Sequence, residues 1–343
     1  MHYELKGEEK VKKFNLLFLG IIFLVFLTAC SGEETSTSEE ESKPDDKAVE
    51  NVKLVLNWFP KAQHGGVYAA QEDGTFEEHG LNVTIEPGGP QVSSVQMIAS
   101  GSAEFGLAHA DQLVIAKNQG IDLVAVAAAM QGSPQVFMFH KGHGIKDFTD
   151  LNGRKVYVQP GITYWDFLKS KYDLSKVEEL AYNGQHTNFV NEKDSVTQAF
   201  ATSEPFFLEK EGIETETKLI ADAGYDPYNV VLFVTKEYLE KNEETVQNFV
   251  TSFVEGWNSY KTSSESINKV IQNDNPDIAL DALAFETESQ EEFVYGKDAS
   301  EHGVGYMTEE RWTTLIQQLH DLDLLEKPFE ANEIFTTKYL PEK

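Results

Sequence analysis

From residue 52 onward, short branched apolar runs alternate with segments of helical spacing, and this alternation restricts the fold more than any other feature of the chain. VKLVLN at Val52 to Asn57 predicts a buried strand. A loop follows, and then a helix over Gly65 to Gln71. Further strands are expected at Leu81 to Ile85, Glu104 to Ala108 and Asp122 to Ala127, with helices at Ser93 to Ser100 and Ala110 to Asn118 between them. After Gln135 to Phe139 the pattern restarts. Strands are expected at Lys155 to Val158, Glu178 to Tyr182 and Thr197 to Thr202, and helices at Tyr164 to Tyr172 and Pro205 to Glu211. YNVVLFVT at Tyr228 to Thr235 reads as a strong strand. Beyond it the chain is mostly helical, including Glu243 to Lys261 with a stripe of Val246, Phe249, Val250, Phe253, Val254 and Trp257. Such spacing predicts an α/β protein built on doubly wound, mostly parallel sheets.

The N-terminus has a different character. Phe14 to Phe26 is an uncharged apolar stretch, short for a membrane span and of the length of a signal-peptide core, with Lys10, Lys12 and Lys13 ahead of it. The one cysteine of the chain, Cys30, stands where this stretch ends. The competing reading is a transmembrane anchor with a free cysteine at its outer edge. Both readings put the rest of the chain outside the cytoplasmic membrane. Met1 to Lys10 carry three glutamates and fit no signal-peptide opening, so translation is expected to start at Val11. Residues 30–50 hold eight carboxylates and two lysines, with Val49 the sole branched apolar residue. They are expected to form a disordered acidic tether.

The remaining residues suffice for two modest domains or one large one. With no second cysteine, no disulfide framework is available to them. The formal charge of −29 argues against nucleic acid, whose binding depends on neutralising phosphates. Arginine occurs only at Arg154 and Arg311.

Several segments, taken in order and at their separations, resemble a known family. They are LNWFP at Leu56 to Pro60, His64-Gly65-Gly66-Val67-Tyr68-Ala69-Ala70, Gly74 to Val83, Ile98 to Gly106, Asp150 to Val156 and Ser203-Glu204-Pro205-Phe206. The chain is similar here to the nitrate/sulfonate/taurine and thiamine-pyrimidine class of ABC-importer binding proteins. Leu27-Thr28-Ala29-Cys30 likewise resembles the bacterial lipobox. That resemblance implies a signal peptide over residues 1–29, cleavage before Cys30 and acylation of its thiol.

The family resemblance implies a two-lobed type II periplasmic-binding-protein fold with two hinge crossovers, near His140-Lys141-Gly142 and Pro227-Tyr228-Asn229. Lobe 1 would comprise 51–140 plus 229–343, and lobe 2 would comprise 141–228. It also implies a lipid-anchored, monomeric receptor on the extracytoplasmic face of the cell membrane, with a permease and an ATPase as partners, no cofactor and no metal. In open α/β sheets ligands sit beyond the carboxyl ends of the strands. The segments Trp58 to His64, Gln131 to Pro134, Gly161 to Trp165 and Thr202 to Pro205 stand at such positions.

The candidate ligand-binding residues are Asn57, Trp58, His64, Tyr68, Gln131, Tyr164, Trp165 and Glu204. Within the family, LNWFP is most like binders of thiamine-pyrimidine precursors, in which the tryptophan stacks on a planar heterocycle. Lys61-Ala62-Gln63 departs from the Asn-rich stretch of that subgroup, which leaves flavin-precursor binders as an alternative. An anionic ligand favours an arginine fork or converging N–H donors. Neither arginine is at a predicted cleft position, although Gly161-Ile162-Thr163 leads into a helix N-terminus that remains open to an anion. Aromatic rings beside a carboxylate instead suit an amino-bearing heteroaromatic. Each candidate has a plainer reading: Trp58 as core, one of Tyr164 and Trp165 as packing, Glu204 as a helix cap and His64 as a loop residue. No G-x-S-x-G, phosphate-binding glycine loop or C-x-x-C is present, so no enzyme is expected.

Overall fold

The computed structural model describes residues 49–342. The expected signal peptide, Cys30 and all but the last residues of the tether lie outside that range. No helix among the described residues is long and apolar enough to cross a membrane.

The described residues hold ten strands, in chain order β1 Glu50–Val55, β2 Leu81–Glu86, β3 Phe105–Ala108, β4 Leu123–Met130, β5 Gln135–His140, β6 Lys155–Val158, β7 Glu178–Ala181, β8 Val196–Phe200, β9 Thr215–Leu219 and β10 Asn229–Thr235. They form two five-stranded sheets, ordered β2-β1-β3-β10-β4 and β7-β6-β8-β5-β9. Within each sheet one strand runs against the rest, β10 in the first and β5 in the second. Both follow a passage from the other sheet. A chain that arrives at the carboxyl ends of the parallel strands enters antiparallel to them.

The first passage is the short segment 131–134, ahead of β5. β5 pairs with β8 and β9, so residues 135–140 belong to the second sheet rather than to the first lobe as expected, and the passage precedes His140. The return runs from the end of β9 to the start of β10. β9 (TETKL) went unread in the sequence. It is a polar edge strand with no fully buried residue, held by β5, and such edges carry no apolar alternation.

The central strands β4 and β10 are buried almost throughout, as continuous apolar runs covered on both faces. The helix Glu243–Asp274 covers the first sheet and runs on to Asp274, well past its expected end at Lys261, because Ile267 and Ile271 extend the buried stripe. It crosses the helix Gly65–Glu72 at close range. A Cβ on Gly66 would collide with the Trp257 ring, one on Gly65 with Tyr260, and one on Gly256 with the Gly66 carbonyl. Backbones approach this closely only where glycine supplies no side chain.

The two passages are tied together by side chains. Asp226 Oδ1 accepts from the Ser133 amide at 2.7 Å, and Lys297 Nζ lies 2.6 Å from Asp226 Oδ2. Arg311 lies over the Tyr228 ring, 3.8 Å from its centroid, and donates to the carbonyls of Gln131 and Asp226. Arg154 donates to the carbonyls of Asp150 and His143 in the second lobe. Both arginines donate to backbone oxygens, and Arg311 also lies 3.8 Å from Asp226 Oδ2.

Candidate functional site

A cleft of about 400 Å³ lies between the sheets, within the size range of small-molecule sites. Its first-lobe wall comes from segments beyond strand ends: Asn57 and Trp58 after β1, the turn Gly89 to Ser93 after β2, and His109, Asp111 and Gln112 after β3. The facing wall carries Gln159 to Tyr164 after β6, Tyr182 after β7, Gln198 and Phe200 of β8, and Glu204. Neither arginine is among the lining residues.

Of the eight candidates, Asn57, Trp58, Tyr164 and Glu204 line this cleft. Trp58 is half-buried, with the Phe59 ring at its edge and centroids 5.6 Å apart. Tyr164 is buried in the helix Thr163–Lys171, and its hydroxyl donates to Gln198 Oε1 at 3.5 Å. Trp165 points elsewhere, since successive helical residues diverge by about 100°. It packs edge-on against Phe137 and donates Nε1–H to Glu179 Oε2 at 2.7 Å.

Three other candidates are buried away from the lining. Tyr68 lies in the first-lobe core, its hydroxyl donating to Asp274 Oδ2 at 3.0 Å. Gln131 donates its amide N–H groups to the carbonyls of Ala128 and Tyr306, while its buried Oε1 accepts no hydrogen bond among the described residues. His64 is fully buried behind Asn57. Its Nε2 is 2.9 Å from Asn57 Oδ1, and its Nδ1 accepts from the Lys61 amide at 3.3 Å. This arrangement fixes a neutral ring with the proton on Nε2. Burial, reinforced by the Lys61 charge, pushes the His64 imidazole down to about 3. His64 thus orients a wall residue.

Lys61 bridges the lobes. Its Nζ lies 3.1 Å from Glu204 Oε1, 3.6 Å from Glu286 Oε1 and 2.7 Å from Ser203 Oγ. Burial works against the Lys61 charge, but the two carboxylates outweigh it and hold the ammonium above its ordinary range. Burial likewise opposes the Glu204 charge, and Lys61 with His186 overcomes it, holding this carboxyl low. At Glu286 burial wins and the carboxyl is raised. Glu204 Oε2 accepts from the Phe200 amide at 2.7 Å, so this side chain closes the turn before its helix rather than capping the helix itself. A second bridge joins Asp111 Oδ2 to the Thr163 hydroxyl, with the Tyr225 hydroxyl at 2.8 Å from the same oxygen.

Lining residues that sequence reasoning passed over include Lys61, His109, Asp111, Tyr182, Gln198 and Asn229. His109 directly follows β3 and Asn229 opens β10. A polar residue at the cleft end of an apolar strand was the available signal. Burial lowers the His109 imidazole against the opposing influence of Asp111 and the Asn229 amide.

A family model described as NMT1/THI5 like matches residues 61–265. The chain is 25% identical to a formylaminopyrimidine-binding protein of Halalkalibacterium halodurans, over 95% of this chain and 99% of that one. It is 21% identical to the riboflavin-binding protein RibY of Chloroflexus aurantiacus, over 96% and 98% of the two chains. Among solved structures, the periplasmic aliphatic sulphonate binding protein SsuA of Escherichia coli matches with a TM-score of 0.65 at 15% identity, covering 86% of this chain and 94% of that one. The architecture is therefore the two-lobed fold of the periplasmic binding proteins, each lobe a mostly parallel sheet.

Proposed function

The chain belongs to the NMT1/THI5-like family, and from that premise we propose that it is the substrate-binding component of an ABC importer, capturing a small amino-bearing heteroaromatic of the thiamine-pyrimidine-precursor type. The observation that carries this reading is the wall chemistry of the cleft. Trp58, Tyr164 and Tyr182 supply ring faces and edges, Asn57, Gln198 and Asn229 supply neutral polar groups, and no arginine lines it. Flat heterocycles gain from aromatic packing, whereas sulfonates and carboxylates favour guanidinium forks. The relative named for formylaminopyrimidine binding, aligned over nearly the whole of both chains, supports the same class.

In this reading the lobes close over the ligand and the closed form docks on a permease driven by an ATPase. The protein works as a monomer on the extracytoplasmic face, held by lipid on Cys30, with residues 30–50 as its tether, and it catalyses no reaction. The hinge is proposed at the passages 131–134 and 220–228.

The test is a thermal-shift screen against formylaminopyrimidine, hydroxymethylpyrimidine, thiamine, riboflavin, taurine, an alkanesulfonate and nitrate. A ligand raises stability by RT ln(1 + [L]/Kd). A shift with a pyrimidine is expected. A shift with riboflavin alone would move the ligand to the class of the RibY-like relative, and a shift with an anion alone would mean that backbone N–H groups carry recognition.

A further inference from the structure

Each oxygen of the two carboxylates that line the cleft already accepts a hydrogen bond. Asp111 Oδ1 takes the Gln112 amide at 2.9 Å and its Oδ2 the hydroxyls of Thr163 and Tyr225, while Glu204 is engaged by Lys61 and by the Phe200 amide. Two carboxamides of the cleft are in a different condition. Gln198 stands in the middle of β8, the central strand of the second sheet. Its Oε1 accepts from the Gln159 backbone amide and, at 3.5 Å, from the Tyr164 hydroxyl. Its Nε2 has no partner among the described residues and is not sealed from solvent, so its N–H groups open onto the cleft that the residue lines. Asn57, from the first lobe, has the same polarity. Its Oδ1 accepts from His64 Nε2 at 2.9 Å and from Gln63 Nε2 at 3.4 Å, and its Nδ2 is likewise unpartnered among the described residues and open.

Neither amide is free to turn round. A reversed Gln198 would set its NH2 group against the Gln159 N–H, and a reversed Asn57 would set its own against the ring N–H of His64, donor against donor in both cases. The fold therefore decides which end of each amide a ligand meets, and that end donates. For Gln198 the oxygen has a structural task, holding the segment at Gln159. The nitrogen has none.

We infer that Gln198 is the specificity-determining residue of the second lobe: its Nε2–H donates to a ring nitrogen of the bound heteroaromatic. The inference rests on the heteroaromatic reading proposed above and adds what the second lobe selects within it. Asn57 offers a donor from the opposite wall, so the favoured ring carries acceptors on two edges, as the two ring nitrogens of a pyrimidine do. A ring with C–H in place of the nitrogen facing Gln198 would leave that donor unpaired once the lobes close, and sites built to pair a polar group reject such ligands.

The test is calorimetric titration of the full chain in detergent, on wild type and Gln198→Glu, with thermal melting to confirm that each is folded. The probes are hydroxymethylpyrimidine and the two pyridine analogues in which one or the other ring nitrogen is replaced by C–H. Gln198→Glu keeps the acceptor that holds Gln159 and removes the donor, so a purely structural role would leave binding intact. The substitution is expected to weaken the pyrimidine at least about tenfold, and to weaken by less than about threefold the pyridine that lacks the nitrogen read by Gln198. Wild type should bind that same pyridine at least about tenfold more weakly than the pyrimidine. A smaller loss of the pyrimidine in Gln198→Glu, an equal loss on all three compounds, or wild-type binding of both pyridines as tight as that of the pyrimidine would overturn the inference while leaving the heteroaromatic site standing. Binding of none of the three by wild type would overturn both. Should Gln198→Glu fail to fold, Gln198→Met, which removes the donor without adding charge, takes its place with the same expectations.

Discussion

Lys61 on the first lobe and Glu204 on the second form an ion pair, Nζ 3.1 Å from Oε1, with the two side chains only 14% and 16% exposed. Shielded from solvent, the pair is little screened by salt. Glu286 lies 3.6 Å from the same ammonium, so one cation serves two carboxylates from different parts of the chain. Removing a single member of such a set leaves charge stranded in a poorly solvated place.

Lys61→Met should therefore lower stability by about 3–5 kcal/mol, read as a fall in the urea midpoint without a change in slope. Adding Glu204→Gln to Lys61→Met should recover part of the loss, because the stranded charge goes with it. A single variant as stable as wild type would mean that the triad contributes nothing net.

Acid should weaken the fold from about the ordinary histidine range downward. His64 is held neutral in the native protein, its pKa lowered to about 3, while the unfolded chain takes up a proton near 6.5. Between those values the unfolded state binds more protons, so stability rises with pH and falls as pH drops, levelling out below about 3. His109 and His186 are lowered too and act in the same sense. Glu204, also lowered, adds its loss below the ordinary carboxylate range. Glu286 is raised and acts in the opposite direction, contributing stability at acid pH that fades as pH rises. Denaturant titrations from pH 7 to pH 4 should show the decline, and His64→Gln should flatten it. A slope untouched by that change would place the effect on the other histidines.

The two tryptophans that sequence reading grouped together should separate under mutation. Trp58→Ala is expected to weaken pyrimidine binding at least about tenfold, roughly 1.4 kcal/mol, with little effect on melting. Trp165→Ala should do the reverse, since its ring is 3% exposed against Phe137 and outside the cleft lining. A stability loss of about 3–5 kcal/mol is ordinary for truncating such a residue. Calorimetry and thermal melting on both variants check the contrast. An unchanged affinity in Trp58→Ala removes that ring from the site.

Gly256→Ala should destabilise the protein by about 1–3 kcal/mol or more, because its new Cβ meets the backbone carbonyl of Gly66 rather than a yielding side chain. Ala70→Gly serves as the paired control, since it removes a side-chain atom from the same crossing. Circular-dichroism melts of both variants measure the difference. A Gly256→Ala protein with wild-type melting would show that the two helices can shift apart without penalty.

Much of the architecture was legible because burial on two faces writes itself as uninterrupted apolar runs, as in β4 and β10. What periodicity does not record is which sheet a strand joins. β5 reads identically whichever lobe receives it, so the passage was sought at His140 instead of ahead of Gln135. In the site, Asn57, Trp58, Tyr164 and Glu204 were legible as polar or aromatic residues beyond strand ends. His64 and its two glycines follow the same rule in sequence. Their place is nonetheless set by packing, with His64 behind Asn57 and the glycines beneath Tyr260 and Trp257. Asn229 reads in sequence as a hinge residue and not as a wall residue, because its apolar run resembles that of any core strand, and only the pairing of β10 with β3 and β4 carries its first residue to the cleft.

β5 and β9, the first and last strands of the second sheet, are hydrogen-bonded neighbours, with Val136 opposite Leu219. The middle of the chain therefore leaves and re-enters the first lobe through adjoining ends, and topologically it is a guest sequence inserted into an otherwise continuous host. Inserts with adjoining ends are the kind that recombination can exchange without re-threading the host. The half of the cleft carrying Tyr164, Tyr182 and Glu204 is thus one transferable cassette, and a new ligand preference can be assembled by swapping it while Trp58, His109 and Asn229 stay where they are.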